Sequence, residues 1–556
     1  MNKRRSKAAE TRWAMAAWRR RTALNLRKTG RAVWPFGRLT LSRFLFAPPD
    51  LRTTDAAIAA DIYAGQFVFT GRVVNTNGLS PFDMPPPTQG WAEALYGFGW
   101  LRHLHAANSS LARDNARALV ADFVDRARRP APSAIRPQVI SRRLMAFLSQ
   151  SPLVLDGADH DYYMLFLKAV RDDALLLRDA AQLSDDPFVH LAAAIALTAL
   201  GLCVEGAERM ERRHGARLAD LLDEQILADG GHVSRNPRVL VDLMLDLLPL
   251  RSTYAARGLE PPQGLVSAID RIVPHLKMLR HPDGSIALFN GMGASQVDAL
   301  ATIFASHDTG GRAGTEAPYS GYQRLVGGSS VLIVESGPAP PFEASSEALA
   351  GCLSFEFSHG RQRIFVNCGI PRQAGSDPPV ELRASAAHTG VTFAETSSCR
   401  FVSHAGQTRV LTGPRRVMAG RSNSAGGEQL ALSHDGYQSR FGIDIERVLG
   451  LSDNGLRLEG REQVSGTPRG APDDATLTAR FHLHPGMRAQ VTETGDIVLA
   501  SARGLSWRFA ATGGKTSIED SMFFAGIDGM RRTQQIVVIA DDLARPITWQ
   551  LAAIAD

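Results

Sequence analysis

The hydrophobic period of this chain changes once, and that change limits what it can fold into. Apolar residues recur at helical spacing from about residue 55 to 310, and short alternating runs then continue to the C-terminus. A sheet cannot bury the first pattern, nor a helix bundle the second, so two packed architectures are joined in one chain. The length of 556 residues also exceeds what one core normally supports. We expect a basic arm over 1–50, a helical domain over 51–312 and an antiparallel strand domain over 313–556.

Between Lys3 and Arg43 the arm carries Arg4, Arg5, Arg12, Arg19, Arg20, Arg21, Arg27 and Arg31 among its bases against Glu10 alone, with Trp13, Trp18 and Trp34 interleaved. Such a segment is either a solvated helical arm or a peripheral contact with an anionic membrane surface. It does not read as a secretory signal, because arginines cut off the short apolar run Met15–Trp18. Leu191 to Val204 is too short to span a bilayer and reads as a buried helix. Cys203, Cys352, Cys368 and Cys399 show no metal-type spacing and are expected as reduced thiols, although Cys352 and Cys368 could face one another across a hairpin. No cofactor or metal is expected, and no nucleic-acid partner.

Helices are predicted at Ser109–Ala127, Ile140–Leu148, Tyr162–Leu183, Pro187–Val204, Gly206–Leu227, Val239–Leu250 and Pro261–Leu279. Trp91 to Leu104 also places large apolar groups at helical spacing. Similar lengths and short breaks suggest helical hairpins packed into an arc or incomplete (α/α) toroid, open where the interhelical loops converge. The most polar of those loops is Asp229-Gly230-Gly231-His232-Val233-Ser234-Arg235-Asn236-Pro237. Arg235 and Asn236 there could neutralise a sugar carboxylate, and His232 could move a proton. The other reading is a capping loop, with Asn236 on the next helix and Arg235 paired to an acid. A second loop, His281 to Gly293, contains Pro282-Asp283-Gly284 and Asn290-Gly291 turns and is a candidate rim of the cleft.

Strands are predicted from Ser330–Glu335 to Gln534–Ala540, among them a hairpin of Leu353–Ser358 with Arg363–Asn367 and a long strand at Gln438–Leu449. Together they imply an antiparallel β-sandwich. His388, His434 and the His482-Leu483-His484 pair lie at polar junctions of this half.

Taken in order, Trp91, Phe98-Gly99-Trp100-Leu101, Ile140-Ser141-Arg142-Arg143-Leu144, Asp229-Gly230-Gly231-His232, Pro282-Asp283-Gly284, Leu353-Ser354-Phe355-Glu356, Ala386-Ala387-His388-Thr389, His434-Asp435-Gly436-Tyr437 and Arg480 to Pro485 resemble the heparinase II/III-like family of polysaccharide lyases. The resemblance implies an α+β multidomain fold, with an incomplete (α/α) toroid followed by an antiparallel β-sandwich and a cleft between them. It also implies a bacterial cell-envelope or periplasmic setting; without a clear signal, the cytoplasm is the alternative.

The implied chemistry is β-elimination at a uronic acid of a glycosaminoglycan-like polymer. His232 or His388 would be the base, Tyr437 the acid, and Arg235, Asn236, Asn290, Trp91 and Trp100 would contact the sugar. Where the family commonly carries a His-x-His-x-Asp-like stretch, this chain has Glu347-Ala348-Leu349-Ala350-Gly351-Cys352. A second reading follows: a catalytically impaired lyase-fold protein that binds an acidic polysaccharide or oligosaccharide.

Overall fold

The computed structural model describes residues 39–126, 130–307, 313–371, 379–404, 406–424, 426–502 and 504–554, with Thr11, Met15 and Thr22 as isolated positions. Trp13, Trp18, Trp34 and most of the expected arm lie outside the described residues.

Helices occupy the first half: α1 (Ala57–Tyr63), α2 (Gln89–Tyr96), α3 (Leu101–Ala107), α4 (Ser110–Arg126), α5 (Pro137–Ser149), α6 (Ser151–Leu155), α7 (His160–Ala181), α8 (Pro187–Cys203), α9 (Glu208–Gln225), α10 (Pro237–Ala256), α11 (Gln263–Met278) and α12 (Val297–Ser306). Local chemistry sets several starts. Asp159, Asp186 and Asn236 each accept a backbone N–H of the first turn of α7, α8 and α10. Pro187 and Pro237 stand at the first helical position, where their missing N–H costs nothing. The helix α8 is buried almost all round, as its continuous apolar run requires.

The stretch Trp91 to Leu104 is divided into α2 and α3. Phe98 adopts φ +54° between Gly97 and Gly99, and its ring fills the core against Phe82, Trp100, Phe123 and Phe147. Burial of that ring outweighs the helical spacing on either side. An unexpected hairpin, Gln66–Phe69 with Arg72–Asn75, precedes these helices and lays Phe67 against Trp100.

From residue 316 the strands form antiparallel sheets. The first runs in chain order through Glu316–Ala317, Tyr322–Gly327, Ser330–Glu335, Phe355–His359 and Gln362–Phe365. The last two strands are the predicted hairpin, turning at Gly360 with φ +50°. Among the described residues an eight-stranded sheet, a four-stranded sheet and the two-stranded pair Arg400–His404 with Gln407–Thr412 complete the half. Phe355, Phe365, Phe481, Phe509 and Trp549 pack where these layers meet. The strand expected over Gln438–Leu449 is instead a short helix at Gln438–Phe441 followed by a strand at Asp444–Ser452. Gly442, at φ +73°, separates them. Strands at Val417–Ser424, Gly514–Phe523 and Ile547–Ala553 had no counterpart in the sequence reading. The four cysteines are free thiols, and among the described residues no helix is long and apolar enough to cross a membrane.

The two halves share buried polar contacts. Asp229 Oδ2 accepts the N–H groups of Tyr319 and Ser320 at 2.8 and 2.7 Å. His281, from the loop after α11, meets Ser358 at 2.8 Å and Glu356 at 3.1 Å in the first sheet. The helical core also extends beneath that sheet to Tyr322, Val331 and Ile333.

Candidate functional site

The loop from Asp229 to Pro237 turns into α10 at the junction of the halves. Asn236 caps α10 through Oδ1, which accepts from Arg238 N at 2.9 Å, and its Nδ2 donates to Glu347 Oε2 at 2.6 Å. The other oxygen of Glu347 accepts from the Arg238 guanidinium. Glu347 belongs to the segment before the Leu353–Ser358 motif, so a carboxylate from the strand half closes onto the helix cap. Gly291 makes the approach possible: a Cβ there would stand 2.7 Å from Asn236 Nδ2 and 3.0 Å from Glu347 Cβ. The Asn290-Gly291 turn therefore packs directly against this cap.

Below this cap a ladder of charged residues descends one face of α10. Arg238, Asp242 and Asp246 follow at intervals of four residues and so share that face. Asp246 is held by Arg142 of α5 at 3.2 Å and by Arg52 at 2.8 Å. Those two guanidiniums hold its carboxyl below the usual range even though burial opposes them. Asp242, one turn nearer the cap, is pushed up by burial, partly offset by Arg238, Arg142 and Arg52. Asp242, Asp246 and Arg52 did not figure in the sequence reading. The ladder's signal was available: three charges at i, i+4 and i+8 inside a helix otherwise rich in Leu and Val.

The structure places the expected site residues as follows. Arg235 is buried at φ +60° and donates to the carbonyls of Ser320, Gly321, Gly337 and Pro338, with Glu335 Oε1 at 3.1 Å. Its donors are spent inside the protein, so the expected contact with a sugar carboxylate is corrected to an interdomain clamp. His232 is buried, with Nδ1 bonded to Ser234 and Nε2 to Gln225 at 3.1 Å. Burial lowers its pKa to about 3, so the imidazole is neutral, and both its nitrogens are engaged within the protein and not turned to an external ligand.

Tyr437 is buried against Phe393, Phe441 and His434, and its hydroxyl donates to Thr396 O at 2.8 Å. It lies in the sandwich core and not in a cleft, which corrects its expected role as an acid. Trp91 and Trp100 are corrected in the same way, because their indole N–H groups bond to Phe67 O and Leu95 O within the helical core.

Asn290, at φ +44°, donates to Glu335 and Tyr322, while its Oδ1 has no partner. His388 is 2 % exposed, and both its ring nitrogens lack a partner. Burial lowers its pKa to about 3. It faces the turn at Gly351, where a Cβ would stand 3.4 Å from its Cδ2, 2.9 Å from Glu335 Oε2 and 3.2 Å from Ser354 Oγ. The Glu347–Leu353 segment thus meets Asn236 at Glu347 and His388 at Gly351. A metal ion does not fit beside His388: its neighbour Asn367 supplies an amide, Glu335 is engaged by Arg235, and among the described residues no three His, Cys, Asp or Glu side chains converge. His482 bonds Ser521 and Ala386 O through its two nitrogens and is structural.

Residues 309–550 match the family described as heparinase II/III-like, C-terminal. This part of the chain resembles that family's C-terminal domain. The whole architecture agrees: heparinase III superposes with a TM-score of 0.69 at 13% identity, over 87% of this chain and 79% of that one. The heparan sulfate lyase HepC from Pedobacter heparinus gives 0.55 at 14% identity, over 97% and 88%. At such identities these likenesses establish the fold, a helical toroid followed by antiparallel sheets. A curated relative, FtsZ-localized protein C from Caulobacter vibrioides (strain NA1000 / CB15N), is 28% identical over 525 residues, 91% of this chain and 89% of its own length. Within the matched residues of this chain, Glu347 closes on the cap of α10.

Proposed function

We propose that this chain is a lyase-fold protein whose cleft binds a glycan without eliminating it, and that it acts where FtsZ assembles. The observation that carries the first part is the Asn236–Glu347–Arg238 cluster. β-Elimination needs the uronate carboxylate neutralised while a base removes the C5 proton. Here the amide and guanidinium suited to that task already hold a carboxylate of the protein. An incoming uronate would meet Glu347 as a like charge, and displacing it would break two charge-assisted hydrogen bonds, each worth about 1.5–3 kcal/mol. Arg235 is closed off by backbone carbonyls, and His232 and Tyr437 are buried and bonded elsewhere. The second part rests on the relative named for its localisation with FtsZ, which matches 91% of this chain.

One observation favours an eliminating enzyme acting on a uronic-acid polymer: the unpartnered ring nitrogens of His388. Ultraviolet absorbance of unsaturated uronate separates the readings. The expected result is no product from any of a panel of acidic polysaccharides. Product formation that His388→Ala abolishes would establish the lyase reading instead. Calorimetry with uronate oligosaccharides should also show Glu347→Gln binding about tenfold more tightly than the parent, the equivalent of ~1.4 kcal/mol of relieved repulsion. Unchanged affinity would remove Glu347 from the site. A fluorescent fusion should concentrate with FtsZ at the division plane, and an even distribution would sink that part of the proposal.

A further inference from the structure

The inner end of the charged ladder opens into a second cavity, ten residues along α10 from Asn236 and so ~15 Å from the cap at the helical rise. Pro49, Asp50, Arg52, Gly99, Arg102 and Arg142 form much of its wall, with Ser149, Asp246 and Pro249 across from them. Three guanidiniums thus face two carboxylates. Asp242 touches this field from one turn nearer the cap.

The arginines differ in how firmly they are held. Arg52 is 17% exposed and bonds Asp246 at 2.8 Å, with Asp50 at 3.5 Å. Arg102 donates to the carbonyls of Thr53 and Gly99, which fixes its head at the wall. Arg142 is 35% exposed and reaches Asp246 only through longer contacts, Nη1 at 3.2 Å and Nη2 at 3.3 Å, so its Nε–H is left for another acceptor. The Ser149 hydroxyl makes no hydrogen bond among the described residues. Gly99 keeps the wall open, because a Cβ there would come 3.1 Å from Arg102 Nη1.

We infer that this cavity is a binding site for a small oxyanion, a carboxylate or phosphate group, held by the Arg142 fork and the Ser149 hydroxyl and charge-balanced by Arg52 and Arg102. A planar guanidinium matches two oxygens of such a group side by side. Positive charge in a recessed, partly dry pocket attracts an anion more strongly than the same charge on an open surface. The two acids of the wall leave one guanidinium charge uncompensated, and the carboxyl of Asp242, the acid one turn nearer the cap, is pushed up by burial. The site is independent of the cap at Asn236, so it can exist whether or not the cleft binds a glycan.

The test is thermal unfolding of the full chain against inorganic phosphate, acetate and chloride at matched ionic strength, with titration calorimetry for the dissociation constant. Ligand that binds only the folded state raises the midpoint saturably. The expected result is saturation by phosphate or acetate but not chloride. It should weaken about tenfold or more in Arg142→Gln, as loss of a charge-assisted fork implies, and weaken less in Ser149→Ala. Saturation by acetate alone would keep the proposal and name a carboxylate as the ligand group. Equal midpoints in all three salts, or an Arg142→Gln protein that binds like the parent, would overturn it. Ser149→Ala alters an uncommitted hydroxyl, so it reports on the site even if Arg142→Gln folds poorly.

Discussion

Replacing Arg235 with methionine is expected to destabilise the protein by about 3–5 kcal/mol, read as a fall in the urea midpoint with little change in slope. The side chain bonds four backbone carbonyls and stands 3.1 Å from Glu335. Its removal leaves a carboxylate that is 2% exposed with Asn290 as its remaining side-chain donor. It also strips the strand-half carbonyls of their partners where Gly337 packs on the guanidinium, 2.6 Å from Cζ to a notional Cβ. Arg235→Met with Glu335→Gln should recover part of the loss, because the uncompensated buried charge is then gone. A single variant within 1 kcal/mol of the parent would show that the clamp contributes little. The same variant separates binding from folding: Arg235 is expected to act through stability alone, so any folded fraction should bind oligosaccharide as the parent does.

Acid should unfold this protein early. His232 and His388 are lowered to about 3, and His275, His434 and His482 to about 4, burial being the largest cause in each. Their ordinary value is 6.5. A folded-state pKa below the unfolded one means that the unfolded chain binds the extra protons. The associated stability is therefore complete above 6.5 and lost as pH falls toward the folded values. The slope approaches about 1.4 kcal/mol per pH unit for each histidine once pH is below 6.5. Five such groups acting together should produce a steep decline between pH 6.5 and 5 in denaturant midpoints. His388→Gln should flatten it by one histidine's share. A midpoint that stays level over that window would mean these rings are not held neutral.

The two results bear on the same structural point. The loop at Asp229–Pro237 was legible as a polar cluster beginning a helix, and of its two sequence readings the geometry supports the capping one. Asn236 does cap α10. What the sequence could not show is that Arg235 takes the left-handed conformation and turns its guanidinium into carbonyls roughly a hundred residues away. Nor could it show that Glu347, more than a hundred residues downstream, would arrive at the cap. Glu347 was visible as a departure in a motif; its partner was not.

The alternation of period determined the division into helical and strand halves, because burying one face of a helix or a sheet demands that spacing locally. Local chemistry likewise determined the starts of α7, α8 and α10, the Gly360 hairpin and the buried character of α8. Where neighbours in sequence conflicted with neighbours in space, the tertiary structure decided. Phe98 broke a helical run to fill an aromatic core, and Trp91, Trp100 and Tyr437 went to the interior because their polar tips found backbone carbonyls there. The roles of His232, Arg235 and the α10 ladder depended on which distant groups packing brought against them. A hydrogen bond or a neutralising charge is a property of the pair, and only folding selects the second member.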